Sequence, residues 1–229
     1  PVSTNMIYRN KAFINYDEFL CVGHHHYEEL NEYIHKFNLK NKKLHKIGYF
    51  KLDEILNNKN KSSLVKKKKI IIAPSWGKVN IINSCGFNLI SKLLEQNYEV
   101  ILRPHIQSLK LEAKLIKKLA EKFKDFQNFK IQRENFSFKD LETSEYLITD
   151  WSGIGIEYAF AYERPVIYID TPKKIMNNQF NDISIEPLEY KIRKEIGIIV
   201  NTEDVENITN FINNLEFNKE KIIKNIKVM

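Results

Sequence analysis

Polar groups that could hold a phosphate lie in one short stretch of the sequence, where an apolar run ends and a helical pattern begins. Asp150, Trp151, Ser152 and Gly153 directly follow the apolar run YLIT. The first N–H groups of a helix lack partners within the helix and carry a partial positive charge, and serine is a good residue to cap such an end. Gly153 has no Cβ, so another molecule could approach the backbone closely. The stretch predicts a phosphate seat at a helix start; the alternative is a helix cap without a ligand.

Similar groups end or follow the other apolar runs. These residues are Ser75, Trp76 and Lys78 after the first run, Arg103 and His105 at the end of the second, and Asp170 after a later one. If the runs are parallel strands, their carboxyl ends share one rim, and the cations, imidazole, hydroxyls and helix N–H groups converge there. Together such groups neutralise a diphosphate without a metal ion. Trp76 and Trp151 could stack on a base or wall the pocket. Glu157, one turn into the helix, could reach a ribose; the alternative for Glu157 is a solvated side chain.

The elements that must position these groups alternate regularly. Apolar runs predict strands at 70–76, 98–105, 129–134, 146–150, 166–170 and 196–201. Helical patterns occupy 82–96, 108–123, 138–144, 154–163, 203–216 and 219–227. This alternation predicts an α/β fold with a Rossmann-like parallel sheet and helices on both faces. No G-x-G-x-x-G follows a strand and no P-loop lysine motif occurs, so we expect neither a classical dinucleotide site nor a P-loop.

The first sixty residues form a second unit. They contain a predicted strand at 19–23, a helix over 27–39 and a turn that enters a short helix over 46–56. The polar, cationic run at 57–69 predicts a solvated linker. We therefore predict two domains, 1–60 and 61–229, of which the first is a short partial α/β segment.

Composition and charge indicate a globular protein with an anionic partner. Of the 229 residues, 43% are hydrophobic and 28% charged, and the formal net charge is +7. Such a charge suits nucleic acid, an acidic membrane surface or a phosphate-bearing substrate. No apolar run reaches the ~18 residues that a membrane span needs, and the first residues lack the apolar core of a signal peptide, so we expect a cytoplasmic protein. Cys21 and Cys85 have no metal or redox spacing, and we expect them to be reduced.

Several motifs, taken in order, resemble the CDP-glycerol glycerophosphotransferase family, which comprises the teichoic-acid and capsule polymerases. They are GYFKLD at 48–53, APSW at 73–76, RPH at 103–105, TDWSG at 149–153 and RP at 164–165. The resemblance runs from about Phe19 to about Val200 and implies a two-domain GT-B fold whose C-terminal domain holds the CDP portion of the donor. By resemblance, 61–229 is that donor-binding domain and 1–60 is the end of an N-terminal acceptor-side domain with a linker helix.

The resemblance also implies roles for individual residues. His105 would contact the donor phosphates, Ser152 and Gly153 would seat the diphosphate, and Ser75, Trp76 and Lys78 would line the nucleotide side. The full set of expected donor-binding residues is Ser75, Trp76, Lys78, Arg103, His105, Asp150, Trp151, Ser152, Gly153 and Glu157.

The family's general base is a histidine in a Trp-His-Gly motif, which this sequence lacks. His24, His25 and His26 follow a predicted strand. We take His25 and His105 as candidate catalytic residues. His25 could deprotonate an acceptor hydroxyl. The alternative is a polar loop before a helix. We predict no metal site, because three adjacent histidines cannot all face one point.

The implied activity is transfer of glycerol-phosphate or ribitol-phosphate from a CDP-alditol to a hydroxyl of a cell-surface polysaccharide or teichoic-acid-like acceptor, without a cofactor. One alternative is a GT-B glycosyltransferase that uses a nucleotide sugar, and a second is a non-catalytic nucleotide-binding module. The expected partners are a CDP-alditol or other nucleotide-diphosphate donor and a polysaccharide or lipid-linked acceptor, with no nucleic acid. The expected location is the cytoplasm, and peripheral association with the inner face of the membrane is compatible with this expectation.

Overall fold

The computed structural model describes residues 3–59, 64–133 and 138–229. The chain divides into two compact units. The small unit contains the residues up to Asn57 together with Lys173–Ile192, and the large unit contains Asn58–Pro172 together with Arg193–Met229. The predicted boundary near residue 60 lies beside this division, but no local sequence pattern indicates that 173–192 packs with the first residues.

The elements are numbered in chain order. The strands are β1 (Glu18–Cys21), β2 (Lys43–Lys46), β3 (Lys66–Ile72), β4 (Glu99–Leu102), β5 (Phe129–Ile131), β6 (Ser144–Thr149), β7 (Val166–Asp170) and β8 (Gly197–Asn201). The α-helices are α1 (His24–Lys36), α2 (Phe50–Asn58), α3 (Ile81–Ser84), α4 (Gly86–Glu95), α5 (Ser108–Leu111), α6 (Ala113–Lys122), α7 (Phe138–Thr143), α8 (Ile154–Tyr162), α9 (Leu188–Lys191), α10 (Arg193–Ile196) and α11 (Ile208–Val228). Short 3-10 helices span Phe180–Asp182 and Thr202–Asn207.

The large unit is built on a parallel sheet of six strands in the order β5-β4-β3-β6-β7-β8. The chain builds outward from β3 to β5, returns to the other side of β3, and then builds outward again from β6 to β8. Because crossovers between parallel strands are right-handed, this reversal puts the helices of the two halves on opposite faces. The predicted Rossmann-like sheet is therefore confirmed, and its strand order reverses between β3 and β6.

The sheet is covered on both faces, as its apolar strands require. Ile70–Ile72, Val100–Leu102 and Val166–Ile169 are buried over consecutive residues, a pattern typical of a central parallel sheet. At the β7–β8 pair, Gly197 lies opposite Val166, and a Cβ at Gly197 would overlap the Val166 carbonyl oxygen. This close approach explains why the last strand begins with glycine.

The cationic run before the sheet differs from its prediction. Lys66–Lys69 were expected in a solvated linker, but they form the first half of β3. Lys69 is buried, with its Nζ 2.8 Å from Asp140 Oδ1 and 2.7 Å from Thr143 Oγ1. The linker prediction is wrong for these residues because a buried ammonium is tolerated when it is paired and hydrogen-bonded. The part of that run at 60–63, and residue 134 at the end of a predicted strand, lie outside the described residues.

The two predicted closing helices also differ, since a 3-10 turn leads into one continuous helix, α11. No Gly or Pro interrupts 208–228, so nothing in the sequence ends the helix near residue 217. Among the described helices, none combines the length and the apolar character needed to cross a bilayer.

The small unit packs α1 against a parallel pair of strands, β1 and β2. Its core consists of Tyr8, Cys21, Leu30, Tyr33 and Ile183. The segment 173–192 belongs here because Asn177 donates to the backbone carbonyls of Thr4 and Asn5. Glu29 of α1 is also buried, and burial, with the nearby Glu189, raises its pKa to about 8.

Candidate functional site

The candidate site lies at the carboxyl ends of β3 and β6, where the strand order of the large unit reverses. Sheets of this type bind ligands in the crevice at this point. Two bonds hold the strand ends together: the Thr149 hydroxyl donates to the Ala73 carbonyl at 2.6 Å, and the Ala73 N–H donates to the Ile148 carbonyl at 2.9 Å. The loops that follow β3 and β6 therefore start side by side.

Asp150 ties these two loops to each other. Its Oδ1 accepts from the N–H groups of Ser75 and Trp151, each at 2.7 Å, and its Oδ2 accepts from the Ile81 N–H at 3.1 Å. Asp150 is only 1% exposed. Burial raises the pKa of Asp150, and the three N–H bonds offset part of that rise. Asp150 thus fixes the loop after β3, the start of α3 and the turn after β6 with one carboxylate.

A second polar group holds the loop after β3, and sequence reasoning missed it. Asn80 is fully buried; its Oδ1 accepts from the Asn83 N–H, and its Nδ2 donates to the Gly77 carbonyl and to Glu112 Oε1. Gly77 has φ +117°, a left-handed conformation that glycine adopts without strain. The sequence does contain a signal for this role of Asn80, because an asparagine directly before a helical pattern is a typical N-cap.

The start of α8 presents backbone donors at the crevice. The Gly155 N–H bonds the Ser152 carbonyl and the Glu157 N–H bonds the Gly153 carbonyl, but within the described residues no bond uses the N–H of Ser152, Gly153 or Ile154. Gly153 occupies the N-cap position, one residue after the predicted one, and a Cβ at Gly153 would meet no atom within 4 Å. The three N–H groups and the open backbone match what a phosphate needs.

Close packing fixes the position of α8 on the sheet. A Cβ at Gly155 would stand 2.7 Å from the Tyr168 hydroxyl and 3.1 Å from Thr149 Cγ2. Only glycine allows the first turn of α8 to lie so close to β6 and β7. The backbone donors at the helix start are therefore held by a tightly packed turn.

Arg103 and Glu157 carry opposite charges and lie near each other on different elements. Arg103 follows β4, and burial lowers its pKa to about 10, while the charges of Glu157 and Asp140 act in the opposite direction. The guanidinium therefore remains charged at neutral pH. Glu157 is 7% exposed, so the alternative of a solvated side chain is wrong.

His105 and Trp76 lie together at the rim. Their ring centroids are 6.2 Å apart, and His105 is exposed. The Gln107 N–H donates to His105 Nδ1 at 3.1 Å. A neutral His105 therefore carries its proton on Nε2, which is the nitrogen that can donate to a ligand. Lys78 is exposed in the loop after β3 and makes no ion pair with a described residue.

The candidate base His25 lies in the small unit, in the first turn of α1. The alternative of a polar loop is wrong, because His24, His25 and His26 are all helical. Burial and the neighbouring His26 and His24 lower the pKa of His25. The imidazole is therefore neutral at physiological pH, as a base must be.

The comparisons with known proteins agree with the expected family. The family model of CDP-Glycerol:Poly(glycerophosphate) glycerophosphotransferase matches residues 3–176. The chain belongs to this family. No curated protein sequence matches the chain.

Among solved structures, this chain is similar to the wall teichoic acid polymerase TagF. A histidine-to-asparagine variant of TagF soaked with CDPG for 15 minutes gives a TM-score of 0.55 at 18% identity, covering 95% of this chain and 52% of that one. A second TagF structure gives 0.53 at 19% identity, covering 96% and 53%. The likeness confirms the GT-B-like fold, and the chain spans about half the length of the TagF structures it matches.

Proposed function

We propose that this chain acts in the transfer of glycerol-phosphate or ribitol-phosphate from a CDP-alditol to a hydroxyl of a teichoic-acid-like polymer, and that the large unit binds the donor. One observation carries the proposal. The start of α8 presents the N–H groups of Ser152, Gly153 and Ile154 at the reversal point of the sheet, in a chain of the glycerophosphotransferase family.

The donor diphosphate would lie on these N–H groups. Gly153 lets the phosphates approach the backbone, and the positive end of α8 favours their charge. Arg103, Lys78 and the Nε2–H of His105 supply further donors. The nucleotide would lie along Ser75 and Trp76, and the Trp151 ring would form one side of the pocket at the turn before α8. Glu157 would accept from a ribose hydroxyl.

In the proposed reaction, the acceptor oxygen attacks the phosphorus that bears the alditol. The bond from that phosphorus to the CMP oxygen breaks, a new phosphodiester forms, and CMP leaves with the negative charge. Arg103, Lys78, His105 and the helix N–H groups stabilise the charge on CMP where it develops. A histidine takes the proton of the acceptor hydroxyl, and His25 is our candidate for that base.

We further propose that the protein works in the cytoplasm at the inner face of the membrane. The net charge of +7 supports attraction to an anionic surface and to an anionic polymer. Co-sedimentation with vesicles that contain or lack anionic lipid tests this location: equal recovery in the supernatant of both would contradict it.

Titration calorimetry with nucleotides tests the donor proposal. We expect binding of CDP and CDP-glycerol, weaker binding of UDP and GDP, and little binding of cytidine, which lacks the phosphates. Tight binding of UDP or GDP in preference to CDP would favour a nucleotide-sugar glycosyltransferase. Failure of all these nucleotides to bind would refute the proposal.

Gly153→Val is the matched variant for this experiment. Gly153 has ordinary helical angles, φ −60° and ψ −16°, and its Cβ position is open, so the variant should fold with an unchanged melting temperature. The added side chain would occupy the path of the diphosphate, and CDP affinity should fall at least about ten-fold. Unchanged affinity in the folded variant would show that the phosphates bind elsewhere.

A further inference from the structure

Arg193 is a buried guanidinium next to the proposed donor turn. It is 3% exposed. Its Nη1 lies 3.0 Å from Asp170 Oδ1 and its Nη2 lies 3.4 Å from the Ile169 carbonyl oxygen. Its Cζ stands 4.0 Å from the centre of the Trp151 ring. The end of β7 therefore holds the guanidinium over the indole, and the Tyr168 ring centre lies 5.1 Å from the same Cζ.

Trp151 is fixed at two further points. Its Nε1–H donates to the Thr171 carbonyl at 2.8 Å, and its backbone N–H donates to Asp150 Oδ1 at 2.7 Å. The next residues in the chain are Ser152 and Gly153, whose N–H groups form the proposed phosphate seat. The indole is therefore anchored one residue before these N–H groups.

We propose that Arg193 is a positioning residue for the donor site: by stacking on Trp151 it sets the geometry of the turn that binds the diphosphate. The identity of the ligand rests on the proposed function above. Arg193 itself acts through Trp151 and contacts neither donor nor acceptor.

The chemistry requires an arginine at this place. A planar guanidinium can stack on an indole and at the same time donate to a carboxylate and a carbonyl at its edge. A lysine ammonium is a point charge that could keep the pairing with Asp170 but would lose the stacked plane. Arg193→Lys thus removes the stack with the smallest change of charge.

The chain topology explains why the sequence does not reveal this contact. Asp170 and Arg193 are 23 residues apart and flank the segment 173–192, which belongs to the small unit. Their ion pair joins the points where the chain leaves the large unit and returns to it. The sequence gives no sign that these points meet beside Trp151.

The test compares Arg193→Lys and Asp170→Asn with a matched control, Arg164→Lys. Arg164 is half-buried, whereas Arg193 is buried. Its Cζ lies 5.5 Å from the centre of the Tyr162 ring, and its Nη1 donates to the carbonyls of Glu142 and Ser144 at the start of β6, the end of that strand away from Trp151. Asp170 is exposed, so Asp170→Asn should fold even if Arg193→Lys does not. The readouts are the ¹⁹F NMR signals of fluorotryptophan-labelled protein without ligand, assigned with Trp151→Phe, and CDP affinity by calorimetry.

We expect Arg193→Lys to shift or broaden the Trp151 signal, to leave the Trp76 signal in place and to weaken CDP binding about ten-fold. Asp170→Asn should act in the same direction with a smaller effect. Arg164→Lys should lower the melting temperature, yet keep the Trp151 signal and change CDP affinity by less than about two-fold.

The outcomes separate this inference from the proposed function. A wild-type protein that does not bind CDP would refute the donor proposal and, with it, the role of Arg193. Wild-type binding that persists unchanged in Arg193→Lys and Asp170→Asn would refute only the inference on Arg193. The inference on Arg193 would also be refuted if the Trp151 signal stayed in place in both Arg193→Lys and Asp170→Asn.

Discussion

Asp150→Asn tests whether one carboxylate organises the loops of the donor site. The side chain keeps its size and loses one oxygen. An asparagine Oδ1 can still accept from the Ser75 and Trp151 N–H groups. Its Nδ2 would then face the Ile81 N–H, which now bonds Asp150 Oδ2 at 3.1 Å, so a donor would meet a donor.

The expected cost follows from these bonds. Loss of one hydrogen bond to a charged acceptor, with a buried N–H left unsatisfied, costs about 2–3 kcal/mol. For a unit of this size, that lowers the melting temperature by roughly 5–10 °C. Asp150→Ala loses all three acceptors, and we expect about 4–5 kcal/mol, less than three times the single-bond value because the loops can relax and admit water.

Urea unfolding followed by tryptophan fluorescence measures this cost, because Trp76 and Trp151 both belong to the large unit. CDP affinity should fall in the same order, from wild type to Asn to Ala, as the turn before α8 loosens. A free energy of unfolding for Asp150→Asn within about 0.5 kcal/mol of wild type would show that the Asp150 carboxylate does not hold these loops together.

Three further changes have defined outcomes. His105→Ala should cost ~1.5–3 kcal/mol of CDP binding, about one to two decades in affinity by calorimetry, with an unchanged melting temperature because the ring is exposed. Glu29 has its pKa raised from 4.5 to about 8 in the folded state, so its ionisation opposes folding and stability falls as pH rises between these values. In the wild type this loss of stability should be on the order of 4 kcal/mol above pH ~8, and Glu29→Gln should remove it. Hydrogen exchange of the α1 amides measures the stability of each protein against pH. Wild type and Glu29→Gln with parallel dependences of stability on pH would contradict this. Gly155→Val should lower the melting temperature strongly, because its side chain would clash with Tyr168 and Thr149; a scanning-calorimetry trace like that of wild type would contradict the close packing of α8.

The sheet, and the position of several candidate site residues directly after its strands, could be predicted from the sequence for one physical reason. Buried parallel strands read as apolar runs, and topology then brings the residues that follow them to one edge. Ser75, His105 and Ser152 could thus be proposed together although they are far apart in the chain. The strand order could be read only from the structure, because no local sequence pattern specifies that β3 pairs with β4 and β6.

The contacts that hold the site in place were harder to predict. Arg193 and Glu112 act through long-range pairings, and their local sequence resembles that of any solvated helix. Lys69 looked like part of a cationic linker because the carboxylate that neutralises it, on Asp140, lies 71 residues further along the chain. Charged residues in such buried pairs carry no periodic signal, so only the fold reveals them.

The most direct test of the proposed donor site is a titration of ¹⁵N-labelled protein with CDP, observed through the backbone amide signals. We expect the N–H signals of Ser152, Gly153 and Ile154 to shift most, because the diphosphate bonds them directly, and we expect cytidine to leave them nearly unmoved. If CDP binds while these three signals stay in place and amides elsewhere shift, the start of α8 is not the phosphate site.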